Sequence, residues 1–121
     1  MDLEGVPAIS PMGTLREVLE ALSDPVRLEM VRRLAAAGES VACADLYDSV
    51  SKSTASHHFK VLREAGLTER LNLGGQTHQR LRLDDVEESY PGVVSSIVAA
   101  SSDQDQAQDQ AKDQDEAQRV S

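Results

Sequence analysis

A chain of 121 residues with 40% hydrophobic content is the size of one ordinary domain, and its three aromatics leave any core mostly aliphatic. One cysteine excludes an intrachain disulfide and a cysteine-based zinc finger, and no apolar run approaches the roughly 18 residues of a membrane helix. A net charge of −9 repels phosphate, so a nucleic-acid partner would require bases gathered in one place.

Met1–Gly13 mixes Gly, Pro and Ser and reads as a flexible arm; it has neither the basic nor the apolar region of a secretory leader, so a cytoplasmic protein is expected. Thr14 is placed to cap a helix whose Leu15, Val18, Leu19 and Leu22 form an i, i+3, i+4, i+7 stripe. Asp24-Pro25 starts a second helix, with Val26, Met30, Val31 and Leu34 inward and an end near Gly38. Val41–Val50 reads as a shorter third helix on Val41, Leu46 and Val50. Ser51 caps a fourth that runs to Ala65 and stops at Gly66. The period then changes. Leu71 and Leu73 precede Gly74-Gly75, and Leu81 and Leu83 alternate with Arg80 and Arg82, the pattern of a β-hairpin.

Helical spacing returns at Tyr90, Val93, Val94, Ile97 and Val98, with a kink or fresh start required at Pro91. Residues 101–121 are Asp/Gln/Ala-rich without an apolar stripe and are expected to be disordered. The expected organisation is an arm (1–13), a folded domain (14–100) and a tail (101–121). The domain is mainly α with a small hairpin, in the order α-α-α-α-β-β-α of a winged helix-turn-helix.

Charge is distributed to match. Between Ser51 and Leu83 stand Lys52, Lys60, Arg63, Arg70, Arg80 and Arg82 against only Glu64 and Glu69. In the fourth helix, Ala55, His58, Phe59 and Leu62 share an inward face. Lys52, Ser53, Thr54, Ser56, His57, Lys60 and Arg63 populate the outer face or its margins, with no outward carboxylate before Glu64. An ordinary solvated face would mix charges; this one suits a major groove, with Ser56 and His57 near base edges. Arg70, Gln76, His78, Arg80 and Arg82 would flank the wing and meet backbone phosphates.

The segments Leu22-Ser-Asp-Pro-Val-Arg-Leu28 and Ser51-Lys-Ser-Thr-Ala-Ser-His-His-Phe-Lys-Val-Leu-Arg-Glu-Ala-Gly-Leu67 resemble signature stretches of the ArsR/SmtB family, bacterial winged-helix regulators. The resemblance covers about Thr14 to Ala100. It implies binding to double-stranded DNA and a homodimer through the first and last helices. Leu15, Val18, Leu19 and Leu22 with Val93, Val94, Ile97 and Val98 would then share their apolar faces between interface and core.

The family's sensor sites are incomplete here. The cysteine-type motif falls on Ala42-Cys43-Ala44-Asp45-Leu46, where both ligand positions are alanine and Cys43 lies between them. A lone thiol cannot supply the several soft ligands such a site needs. Cys43 reads first as a small buried hydrophobe, with a redox sensor as the alternative. For the zinc- and nickel-type site, Asp85 and Glu87 match one ligand pair in position, but the second pair falls near Val98 and Ser101. Asp85, Glu87 and His78 are therefore weak candidates for a divalent nickel- or zinc-type metal.

No phosphate loop or nucleophile motif indicates an enzyme. The expected function is a sequence-specific regulator on a palindromic operator, responsive to a metal or other small signal if to any. The alternative is a winged-helix protein-interaction module or co-regulator that depends on a partner protein.

Overall fold

The computed structural model describes residues 11–102; the expected arm before residue 11 and the expected tail after residue 102 lie outside the described residues. Helix α1 spans Leu15–Leu22 and α2 spans Pro25–Ala37. Both start at caps. The Thr14 hydroxyl accepts from the Glu17 amide at 3.1 Å while the Glu17 carboxylate accepts from the Thr14 amide at 3.0 Å, a reciprocal capping box. Asp24 accepts from the amides of Val26 and Arg27 at 2.8 and 3.0 Å, and Pro25 occupies a first-turn position that needs no donor. α2 ends at Gly38, whose φ of +68° is the left-handed conformation that suits glycine.

The segment expected as a third helix differs. Val41–Ala42 is a short strand, β1, followed by a single 3-10 turn at Cys43–Asp45 and irregular chain to residue 50. The sheet is the cause. Val41 and Ala42 pair antiparallel with Gln79 and His78, which extends the backbone where the helix would have begun. Leu46, 1% exposed, then anchors the segment in the core. Arg33 fixes it to α2 by donating to the Asp45 carbonyl at 3.2 Å and the Asp48 carboxylate at 3.0 Å.

Helix α3 spans Lys52–Glu64, with the Ser51 hydroxyl accepting from the Thr54 amide. Strands β2 (Thr68–Leu73) and β3 (Gln76–Leu81) form the expected hairpin, and the sheet order is β1-β3-β2. Gly74 and Gly75 both have positive φ (+59° and +81°), as a two-residue primed turn requires. Helix α4 spans Leu83–Ser89, the chain breaks at residues 90–92, and a fresh helix, α5, occupies 93–102. Among the described residues the architecture is a mainly α winged helix-turn-helix with five α-helices and a small antiparallel sheet.

One aliphatic core unites these elements: Val18, Met30, Val31, Leu34, Leu62, Leu67, Val86 and Val94, with Phe59 set edge-on against Tyr47. This corrects part of the expected interface set. Val18, Leu22 and Val94 are at most 4% exposed within one protomer, whereas Leu15 and Leu19 are each 43% exposed. Ala21 shares the buried side with Val18 and Leu22, so the inward face of α1 is centred on Val18 and Leu15 and Leu19 fall at its outer edge. Val93, Ile97 and Val98 are half-buried. The end of the expected arm is also held: Met12 packs against the core, and the Gly13 amide donates to the Ala65 carbonyl at 2.9 Å.

Candidate nucleic-acid interface

α3 presents two functional sides. Ala55, Phe59 and Leu62 are buried, and on the opposite side Ser53, His57 and Lys60 are exposed. Lys52, Ser56 and Arg63, spaced at four and seven residues, lie on the side turned toward the sheet. Thr54 is exposed but engaged, since its hydroxyl accepts from Ser51 at 3.0 Å. Lys60 has the nearest carboxylate at 3.9 Å, from Glu64 one turn on, an exposed pair worth little in water.

The helix is aimed by a contact that sequence reasoning only partly anticipated. His58, expected on the inward face, is partly buried and hydrogen-bonded to Arg27 of α2. Arg27 Nη1 lies 3.0 Å from His58 Nδ1, and His58 Nε2 lies 3.8 Å from Asp24. The same guanidinium donates to the Ala21 carbonyl at 2.7 Å and the Glu20 carbonyl at 3.3 Å. One side chain thus joins the end of α1, the start of α2 and α3. The signal was present in Asp24-Pro25-Val26-Arg27, where a cap is followed at once by an arginine.

The hairpin alternates, so its candidates divide between two faces. Arg70 and Thr77 share the face of Gln79, which turns toward α3, and they border a cleft of about 300 Å³ with Lys52, Ser56, Phe59, Arg63, Cys43 and Tyr47. Among the described residues, Lys52, Arg63 and Arg70 enter no ion pair. His78 and Arg80 lie on the other face. Arg80 is paired in a short contact with Glu69 directly across the strands, and its charge is held firmly by that carboxylate. Gln76 is exposed beside the turn.

Arg82 corrects the expectation of a phosphate contact. It follows the end of β3, where the chain turns into α4, and its side chain folds inward, 9% exposed. There it donates to the Gly66 carbonyl at 3.0 Å and to Asp85 at 3.2 Å.

The weak metal candidates are not brought together. Asp85 is engaged with Arg82, and Glu87 accepts from the Gly92 amide at 2.5 Å and the Ser95 hydroxyl at 2.8 Å, which holds its carboxyl below the usual glutamate range. His78 sits in the sheet opposite Leu71. Among the described residues, no group of three or more His, Cys, Asp or Glu side chains is arranged to hold a metal ion.

An exposed, carboxylate-poor helix packed beside a two-stranded wing defines a winged helix-turn-helix DNA-binding protein. Residues 22–70 match the family described as "Helix-turn-helix domain". Over 83 residues the chain is 35% identical to YceK of Bacillus subtilis (strain 168), an uncharacterized HTH-type transcriptional regulator, covering 67% of this chain and 83% of that one. The structure is similar to the transcriptional repressor BigR from Xylella fastidiosa, at 26% identity and a TM-score of 0.56, over 71% of this chain and 84% of that one. An ArsR-like transcriptional regulator from Rhodococcus sp. RHA1 shares the fold at 21% identity and a TM-score of 0.54, over 82% of this chain and 90% of that one. The chain belongs to the helix-turn-helix transcriptional regulators. Its fold and relatives are those of regulators and not of enzymes. Among the described residues, no helix is long and apolar enough to cross a membrane.

Proposed function

We propose that the protein acts as a homodimer that reads a palindromic operator through α3. The observation that carries this is the composition of the exposed side of α3: Lys52, Ser53, Ser56, His57 and Lys60 with no carboxylate before Glu64, in a chain of net charge −9. Ser53, Ser56 and His57 offer donors and acceptors to base edges, and Lys60 meets phosphate. Lys52, Arg63 and Arg70 form a second bank of cations where the backbone would pass between helix and wing. Gln76 at the wing tip extends the contact. Arg80, neutralised by Glu69, stiffens the hairpin on the far face. Leu15 and Leu19 supply exposed apolar surface for a second copy, continued by the half-buried Val93, Ile97 and Val98.

The test is fluorescence anisotropy with the protein's own upstream DNA and a scrambled duplex at fixed salt. Selective binding with a two-half-site footprint supports the proposal. Equal, weak binding to both duplexes overturns it in favour of a partner-dependent interaction module, the reading that the acidic balance favours. With Asp85 and Glu87 engaged elsewhere, added Ni²⁺ or Zn²⁺ should leave the affinity unchanged. A metal-dependent shift would instead place a sensor site between subunits.

A further inference from the structure

The lysines and arginines of the described residues fall into two groups. Arg16 pairs with Glu20, Arg32 and Arg33 with Glu29, Arg80 with Glu69 and Arg82 with Asp85, while Arg27 is engaged with two carbonyls and His58. Lys52, Arg63 and Arg70 enter no ion pair among the described residues, and Lys60 has only the exposed Glu64 at 3.9 Å. All four stand on α3 or on β2 beside it, and Lys52, Arg63 and Arg70 border one cleft. The uncommitted positive charge is therefore gathered on one surface, in a chain whose net charge is −9. Cations crowded together repel one another, and a line of carboxylates laid across them gains the attraction of each. The sequence supplies such a line. Just past α5, outside the described residues, stand Asp103, Asp105, Asp109, Asp113, Asp115 and Glu116, spaced by Gln and Ala, against Lys112 and Arg119. A chain as long as residues 103–121 reaches up to roughly 60 Å, whereas a compact domain of this size is about 30 Å across, so α3 lies within range of the end of α5.

We propose that residues 103–121 dock on the surface of α3 and β2 as a built-in substitute for DNA, their carboxylates taking the places of backbone phosphates at Lys52, Lys60, Arg63 and Arg70. Tethering gives the segment an effective concentration in the millimolar range, so a contact too weak to hold a free peptide still fills the surface. Duplex DNA must displace it. The displaced carboxylates replace small anions that bare cations would release, so the affinity of the full chain falls less steeply with salt. The occupant weakens every duplex by the same factor, and the choice between duplexes stays with Ser53, Ser56 and His57. A segment that only repelled DNA from a distance would touch no particular residue, whereas a docked one marks these four cations. The effect on DNA rests on the DNA-binding reading above; the docking itself does not.

The docking is read without DNA, by nuclear magnetic resonance of the full chain. A nitroxide attached at Ala111→Cys, in a chain that also carries Cys43→Ala, broadens the amide signals of whatever lies near the segment. Broadening should concentrate on Lys52, Ser56, Lys60, Arg63 and Arg70 and disappear in 1 M salt, where the screening length is about 3 Å. A second full-length variant needs no label: with each aspartate from Asp103 onward changed to Asn and Glu116→Gln, the same amides should shift and the rest of the spectrum should stay in place. At low salt that variant should bind the operator and the scrambled duplex about tenfold more tightly than the native chain, and the gain should vanish as salt rises. Broadening that is absent, or spread evenly over the molecule, overturns the docking whatever the DNA result. Docking with unchanged DNA affinity overturns the competition. Should neither chain bind DNA, the regulator reading fails, and the broadening still decides the docking.

Discussion

His57 and Arg70 carry different tasks in the proposed interface, and substitution separates them. His57→Ala should cost about 1–3 kcal/mol on the operator and relax base preference, because it removes a contact to a base edge. Arg70→Ala should weaken operator and random DNA alike and reduce the slope of log affinity against log salt by about one unit. Titration by anisotropy at several salt concentrations distinguishes the two; equal losses on both DNAs for His57→Ala would remove it from base reading. Arg80→Ala is the internal control, since Glu69 already holds that charge and little should be lost on either DNA. Two glutamates set a pH dependence. Glu87, hydrogen-bonded by the Gly92 amide, and Glu17, by the Thr14 amide, both have lowered pKa values in the folded chain. Near the ordinary glutamate value the unfolded chain therefore binds more protons than the folded one. Their stabilisation is fully present above that value and disappears as pH falls through the lowered folded values. The urea midpoint should accordingly drop between about pH 6 and about pH 3, and Glu87→Gln should make that drop shallower.

The elements that sequence patterning placed well are those with their own start and stop chemistry. Thr14 with Glu17, Asp24 with Pro25, and Ser51 each open a helix where expected, and Gly74-Gly75 closes the hairpin. Thr14→Ala should therefore cost about 1 kcal/mol in chemical denaturation, the usual value of a lost cap. Gly66→Ala should cost more, about 1–3 kcal/mol, because φ is +85° there and a Cβ would come within 2.8 Å of Met12 Cα and the Pro11 carbonyl oxygen. What local pattern could not convey was long-range pairing. Val41–Ala42 became a strand because β3 lies alongside, a partner almost forty residues away. The same limit applies to the interface. Alternation assigns Arg70 and Arg80 to opposite faces once the register is known, yet which face meets α3 depends on tertiary packing. Cys43 packs against the core as expected but is only partly buried, and its neighbours Arg63, Arg70 and Gln79 come from distant parts of the chain.

At the scale of the whole molecule, the exposed Leu15 and Leu19 make assembly testable without damage to the core. Leu19→Glu should shift sedimentation from dimer to monomer at micromolar concentration while leaving the thermal midpoint of the monomer nearly unchanged. Its operator affinity should fall steeply because one half-site then binds alone. Charge acts at the same scale. From residue 103 onward stand six acids against Lys112 and Arg119, so removing those residues should raise affinity for random DNA at low salt. The Gly13 contacts tie these properties together. Gly13 donates to Ala65 at the end of α3 and accepts from the Tyr90 hydroxyl at 2.6 Å, just before α1 begins and between α4 and α5. The foot of the reading helix is thereby bolted to the roots of both helices that would meet the second copy. In the proposed dimer this would make the spacing between the two α3 helices a fixed property of the pair, like the gap of a caliper, and a twist at the shared surface would become a change in the span of DNA it can grip.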